Sequence, residues 1–168
     1  MLARSAVSLV LAVLTLAPLR AAPAEEKVLF SRSSLFNGTV LVVQQGPYRI
    51  LQFRDEGQVT EQSRCEVSRP DRLLHEYTRI QLLGLCFRPG PRRILVVGLG
   101  GASLSKALAR LCPTAVIDNV EIDPIVVDAA RAYFFYREGP RMRTFAEDAR
   151  VYAARCRESY DLIFLDAF

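Results

Sequence analysis

Histidine is nearly missing from this 168-residue chain, tryptophan is missing altogether, and of 22 basic side chains only Lys27 and Lys106 are lysine. The lone histidine, His75, and four cysteines (Cys65, Cys86, Cys112 and Cys156) follow no metal-ligand spacing, so no metal is expected. Arginine carries almost all the positive charge, yet no run is longer than Arg92-Arg93. The net charge of +4 therefore makes no stripe for nucleic acid, and none is expected as a partner. There is no internal repeat and no low-complexity tract. Long apolar runs are also missing: Ser5–Ala17 is too short to span a bilayer comfortably.

That short run has another use. Met1-Leu2-Ala3-Arg4 is a basic start, and Ala22-Pro23-Ala24 offers small residues where a signal peptidase reads. Residues 1–24 are expected to be a secretory signal, giving a secreted or periplasmic protein with no stable membrane insertion after cleavage. An uncleaved membrane anchor is the alternative. Export would bring the cysteines into an oxidising compartment where disulfides are possible. The apolar neighbours of Cys86, Cys112 and Cys156 favour buried thiols instead.

What is present is enough to build a core: 51% of residues are hydrophobic and 24% charged. Residues 25–38 read as a linker. Strand-like runs at Thr39–Val43, Arg49–Phe53 and Gln58–Val67, separated by Gly46-Pro47 and Asp55-Glu56-Gly57, predict a three-stranded antiparallel subdomain over 39–68. Helical spacing of Leu73, Tyr77, Ile80 and Leu83 predicts a helix over Asp71–Cys86. From Arg93 strands (93–97, 115–121, 142–146, 161–166) alternate with helices (102–111, 124–135, 148–156). The fold class is α/β, a Rossmann-like doubly wound parallel sheet preceded by the small antiparallel β subdomain. Four parallel strands are half of such a sheet, so 69–168 is expected to be the first half of a longer domain, its fourth strand leaving an unpaired apolar edge.

In a doubly wound sheet ligands sit beyond the carboxyl ends of the strands, and all four ends here carry glycines or acids. The first gives Gly98, Gly100 and Gly101, which let the backbone turn sharply against a ligand. The second gives Glu121, 23 residues beyond Gly98, where an acid reaches ribose hydroxyls. The third leads to Glu147-Asp148 and the fourth to Asp166. A nucleoside site is the leading reading. Each residue has a plainer one: glycines for helix–strand packing, Asp123 and Asp148 as helix caps, Asp166 as a surface acid, His75 as a packing or capping residue. Asp148 could equally accept from an adenine amino group, and Asp166, if it faces the pocket, could take a proton from an attacking amine.

From about Tyr48 to Phe168 the chain resembles the spermidine synthase family of polyamine aminopropyltransferases. Leu74-His75-Glu76 resembles the family's Tyr-His-Glu, and Gly98-Leu99-Gly100-Gly101-Ala102 its Gly-Gly-Gly-Asp-Gly. Val120-Glu121-Ile122-Asp123 is present intact, Asp148-Ala149 resembles the element after the third strand, and Tyr160-Asp161-Leu162-Ile163-Phe164-Leu165-Asp166 matches Tyr-Asp-x-Ile-x-x-Asp. The resemblance implies that Glu121 holds the ribose of decarboxylated S-adenosylmethionine, Ile122 packs on adenine, and Asp148 reads its amino group, with Ala149 beside it at the cofactor site. Asp166 would deprotonate the attacking amine, a small substrate such as putrescine, with His75 on the substrate side. Members commonly form homodimers, and that is expected here. The chain departs from the pattern at Leu74 and at Gly101, where the family has an acid that meets an ammonium.

Two alternatives stay open. A methyltransferase using S-adenosylmethionine shares the sheet, although such enzymes place an acid two residues before the first glycine, where Val96 stands. A dinucleotide oxidoreductase is weaker, because Ser103 stands where its third glycine belongs. An exported, non-catalytic relative that binds a ligand or partner is the second alternative.

Overall fold

The computed structural model describes residues 25–167; the signal segment expected at 1–24 and Phe168 lie outside them. Four strands, β1 (Glu26–Ser33), β2 (Thr39–Gln45), β3 (Tyr48–Asp55) and β4 (Gln58–Glu66), form an antiparallel sheet in that order. The expected linker 25–38 is thus mostly strand. β1 pairs along β2 from Glu26↔Gln45 to Ser33↔Thr39. It lies at the sheet edge and is largely exposed, so the apolar alternation that marks a half-buried strand is absent from its sequence.

The helix expected over 71–86 is two short ones, α1 (Glu76–Gln81) and α2 (Gly84–Phe87). Tighter bonds, Leu83 N–H to the Ile80 carbonyl and Cys86 N–H to the Leu83 carbonyl, occupy the break. Gly84 passes so close to β8 (Leu162–Leu165) that a Cβ there would stand 3.2 Å from the Phe164 ring.

β5 (Arg93–Val97), α3 (Ser103–Leu111), β6 (Val116–Glu121), α4 (Pro124–Tyr133), β7 (Met142–Ala146), α5 (Ala149–Arg155) and β8 then alternate as expected. All pairings are parallel and the order is β7-β6-β5-β8. Ile94, Val96 and Ile117 pack under Leu104 and Leu108 of α3, whereas Leu95 and Val120 pack under Tyr152 of α5 on the opposite face. The antiparallel sheet lays Val40, Val42 and Leu51 on Val126 and Ala129 of α4, joining the two sheets through one helix. Among the described residues β8 pairs only with β5, and Ile163 and Leu165 are exposed. The four cysteines are free, and only Cys65 is buried; Cys86, expected inside, is exposed because α2 turns it outward. No helix among the described residues is long and apolar enough to cross a membrane.

Charge sits inside this frame as well. Asp118 of β6 has no exposure, and its two oxygens accept from Arg143 Nε at 2.6 Å and Nη2 at 2.7 Å. Tyr160 Oη adds a third donor at 2.8 Å. Burial alone would push this carboxyl up, but the Arg143 and Tyr160 hydrogen bonds together hold it below 3.8. A depressed folded-state value stabilises the fold above the unfolded value, and that stabilisation fades as pH falls below about 3.8. Asp118→Ala should cost about 2–3 kcal/mol in urea unfolding, under the usual cost of breaking a buried pair because Arg143 reaches water. It should also flatten the stability curve between pH 4 and 2 (on the order of one titrating group).

Candidate functional site

Strand order reverses between β5 and β8, and above their carboxyl ends lies a cavity of about 370 Å³. Its floor is the turn after β5. Gly98 (φ 92°) and Gly100 (φ 51°) take the left-handed backbone that glycine adopts freely. Gly98 is doubly constrained, since a Cβ would collide with the carbonyl of Asp166 at the end of β8. The Asp166 N–H donates to the Val97 carbonyl at 2.7 Å, so the glycine turn and the Asp166 backbone are locked together.

Glu121 ends β6 beside this turn and is only 8% exposed. Its Oε2 accepts from the Leu99 N–H at 2.9 Å and its Oε1 from the Asp123 N–H at 3.1 Å. Burial pushes the carboxyl up from 4.5, and these main-chain donors oppose the rise. Glu121 itself lines the cavity.

The antiparallel sheet closes the other side and ties down both loops that hold Glu121. Ser63 of β4 accepts from the Gly101 N–H at 2.8 Å. Asp123 is fully buried and caps α4 by accepting from the Ile125 N–H at 2.8 Å, the structural role expected of it. Its second oxygen takes Ser34 Oγ at 2.5 Å and Asn37 Nδ2 at 2.7 Å from the β1–β2 connection.

Ile122, half exposed, offers an apolar wall, and Asp148 and Ala149 line the same side of the cavity. Asp148 caps α5 through the Arg150 N–H at 2.7 Å, and the Arg150 guanidinium beside it holds its carboxyl down to about 2. At the opposite end Asp166 is pushed up by burial, against the Gln81 hydrogen bond at 3.0 Å and the His75 charge. His75 stands at the start of α1 without capping it, lines the cavity, and places Nε2 3.5 Å from Glu61 Oε1. Tyr77 follows, its hydroxyl pushed up by burial and by Asp166.

Eight of the nine residues expected at the site line this one cavity: His75, Gly98, Gly100, Glu121, Ile122, Asp148, Ala149 and Asp166. Gly101 does not. A Cβ there would meet Ser63 Cβ at 2.8 Å and Phe134 Cδ1 at 3.0 Å, so the position faces the antiparallel sheet. Asn37, Phe53, Gln62 and Ser63 line the cavity but were not expected, because the pairing of β1 to β4 brings them there. Tyr77 and Glu147 also line it, and their adjacency to His75 and Asp148 was the one available signal.

A doubly wound α/β protein, with an acid-rimmed cavity over the strand-order reversal, is what this fold and site define. The spermine/spermidine synthase domain profile matches residues 74–168, more than half of the chain, and the chain belongs to that family. The polyamine aminopropyltransferase of Vibrio vulnificus (strain CMCP6) is 38% identical over 149 residues, covering 86% of this chain and 49% of the relative. The chain thus spans about half the length of that relative. A spermidine synthase solved in complex with the transition-state analogue AdoDATO shares the fold, with a TM-score of 0.60 at 20% identity over 84% of this chain and 46% of that one. Human methyltransferase-like protein 13 in complex with SAH is 31% identical, with a TM-score of 0.51 over 54% of this chain and 47% of that one.

An acid restored at position 101 should not fit. Gly101→Asp is expected to lower stability by about 1–3 kcal/mol through overpacking against Ser63 and Phe134. Adding Ser63→Gly should recover at least half of that loss in a thermal-unfolding double-mutant cycle. Additive losses would contradict the orientation described for this position.

Proposed function

We propose that this chain forms the nucleoside-binding part of an aminopropyltransferase that takes decarboxylated S-adenosylmethionine and passes its aminopropyl group to a small amine such as putrescine. One observation carries the reading: a buried carboxylate, Glu121, whose two oxygens are each held by a main-chain N–H group and which lines a cavity beside a glycine turn. A vicinal diol supplies two hydroxyl donors at the spacing of two carboxylate oxygens. Each such bond to a charged acceptor contributes about 1.5–3 kcal/mol. Ile122 offers the adenine an apolar face, and Asp148, kept ionised, accepts from its amino group. Membership of the family and the AdoDATO-bound fold relative support the nucleoside assignment.

The chemistry then falls to Asp166. The acceptor nitrogen attacks the aminopropyl carbon bound to the sulfonium; the C–N bond forms as the C–S bond breaks, and sulfur keeps the electron pair and leaves as methylthioadenosine. The amine proton passes to Asp166, whose carboxyl, already pushed up by burial, is a better proton acceptor than a solvated aspartate.

A second reading, methyl transfer from S-adenosylmethionine, draws on the human methyltransferase-like relative. An aminopropyl ammonium needs a counter-charge in a partly desolvated pocket, whereas the amino-acid end of S-adenosylmethionine carries its own. Calorimetry on the full chain separates the two. Decarboxylated S-adenosylmethionine should bind at least about tenfold tighter than S-adenosylmethionine, with methylthioadenosine also bound. The reverse preference would favour methyl transfer, and no heat from any of the three would overturn both. Affinity should fall as pH is lowered through the raised Glu121 value, so the loss begins above pH 4.5, where an ordinary glutamate would still be mostly ionised.

A further inference from the structure

The Asp166 carboxylate takes a hydrogen bond from a residue outside the cavity lining. Gln81, the last residue of α1, does not line the cavity, yet its Nε2 donates to Asp166 Oδ1 at 3.0 Å. The same amide has a second observation attached to it. Gln81 Oε1 is buried and has no hydrogen-bond partner among the described residues. A buried carbonyl oxygen without a donor is unfavourable, so its persistence needs a reason.

The neighbouring group that gains an O–H during the proposed reaction is Asp166 itself. An amide presents a donor and an acceptor from one carbon, and half a turn about Cγ–Cδ exchanges them. We propose that Gln81 is the positioning residue of the base: its Nε2 holds the Asp166 carboxylate before transfer, and its amide then turns so that Oε1 accepts from the Asp166 carboxylic acid afterwards. Proton balance is simple. The amine N–H proton moves to an Asp166 oxygen, is held there by Gln81 Oε1, and leaves to solvent when the carboxylate re-forms and the amide turns back.

The arrangement is local to α1 and the end of β8. The titratable and charged groups facing Asp166 are His75 and Tyr77, with Glu61 of β4 behind His75. The glycine turn from Gly98 to Ser103 contributes none. Gln81 therefore supplies the described neutral hydrogen bond that can follow the protonation state of Asp166 without adding charge to the cavity.

This inference rests on the reading of Asp166 as the base, and one experiment keeps the two separable. Side-chain carboxyl and amide NMR on the full chain, labelled at Asp and Gln, would follow Asp166 and the Gln81 amide through the same pH titration. The Gln81 amide signals should move with the Asp166 midpoint. Because Gln81 would serve both forms and its bond to the charged carboxylate is the stronger, Gln81→Leu, and Gln81→Asn, which is too short to reach, should each raise that midpoint by less than about one pH unit. The acid limb of the transfer rate should shift with it, and nucleoside affinity should stay unchanged because Gln81 lies outside the cavity. Amide signals that stay still while Asp166 titrates, or an Asp166 midpoint that falls in either variant, would overturn the inference. Coupled titrations in a chain with no transfer activity would support the Gln81–Asp166 coupling while removing the functional reading.

Discussion

A glutamate with 8% exposure at the end of a parallel strand must have donors or lose its charge, and Glu121 has two from the main chain. Those donors come from different loops, Leu99 in the glycine turn and Asp123 at the head of α4. The carboxylate therefore fastens the turn after β5 to the end of β6, and the same residue lines the cavity. Any movement of either loop changes the direction in which the carboxylate points. Much of the surrounding structure answers that constraint.

The antiparallel sheet is the clearest answer. Ser63 holds the glycine turn, and Ser34 and Asn37 hold Asp123, so each loop gripping Glu121 is itself gripped from the other sheet. Val40, Val42 and Leu51 packed on α4 hold that sheet against the parallel half. The small sheet is thus part of the site, with Asn37, Phe53, Gln62 and Ser63 on the cavity wall. At the other end Gly98 lets the turn pass against the Asp166 carbonyl, which sets the acid at a fixed height above β5.

The parallel half was legible because its signals are local. β-branched strands, Gly98 at φ 92°, the Asp123-Pro124 cap and Asp148 before α5 each depend on a few adjacent residues. The rest depends on distant contacts. β1 is a polar edge strand whose only evidence is its pairing with β2, so Glu26–Ser33 reads as linker. The long helix over 71–86 breaks where Gly84 must clear Phe164, about 80 residues away, a contact no periodicity reports. Gly101 was expected on the cavity with its neighbours, but the direction of its missing Cβ is decided by Ser63, 38 residues earlier. Gln81 carries no motif at all, and only the fold sets it beside Asp166.

The most direct test of the whole arrangement is a cycle that pairs the carboxylate with the sugar proposed to bind it. Methylthioadenosine and its 2′,3′-dideoxy analogue would be titrated against the intact chain and against Glu121→Ala by calorimetry. If Glu121 grips the two hydroxyls, their removal weakens binding to the unaltered chain by on the order of 10–100-fold and leaves binding to Glu121→Ala nearly unchanged. Equal losses in both proteins would contradict the account, because the sugar would then be held by something other than the carboxylate around which these loops are arranged.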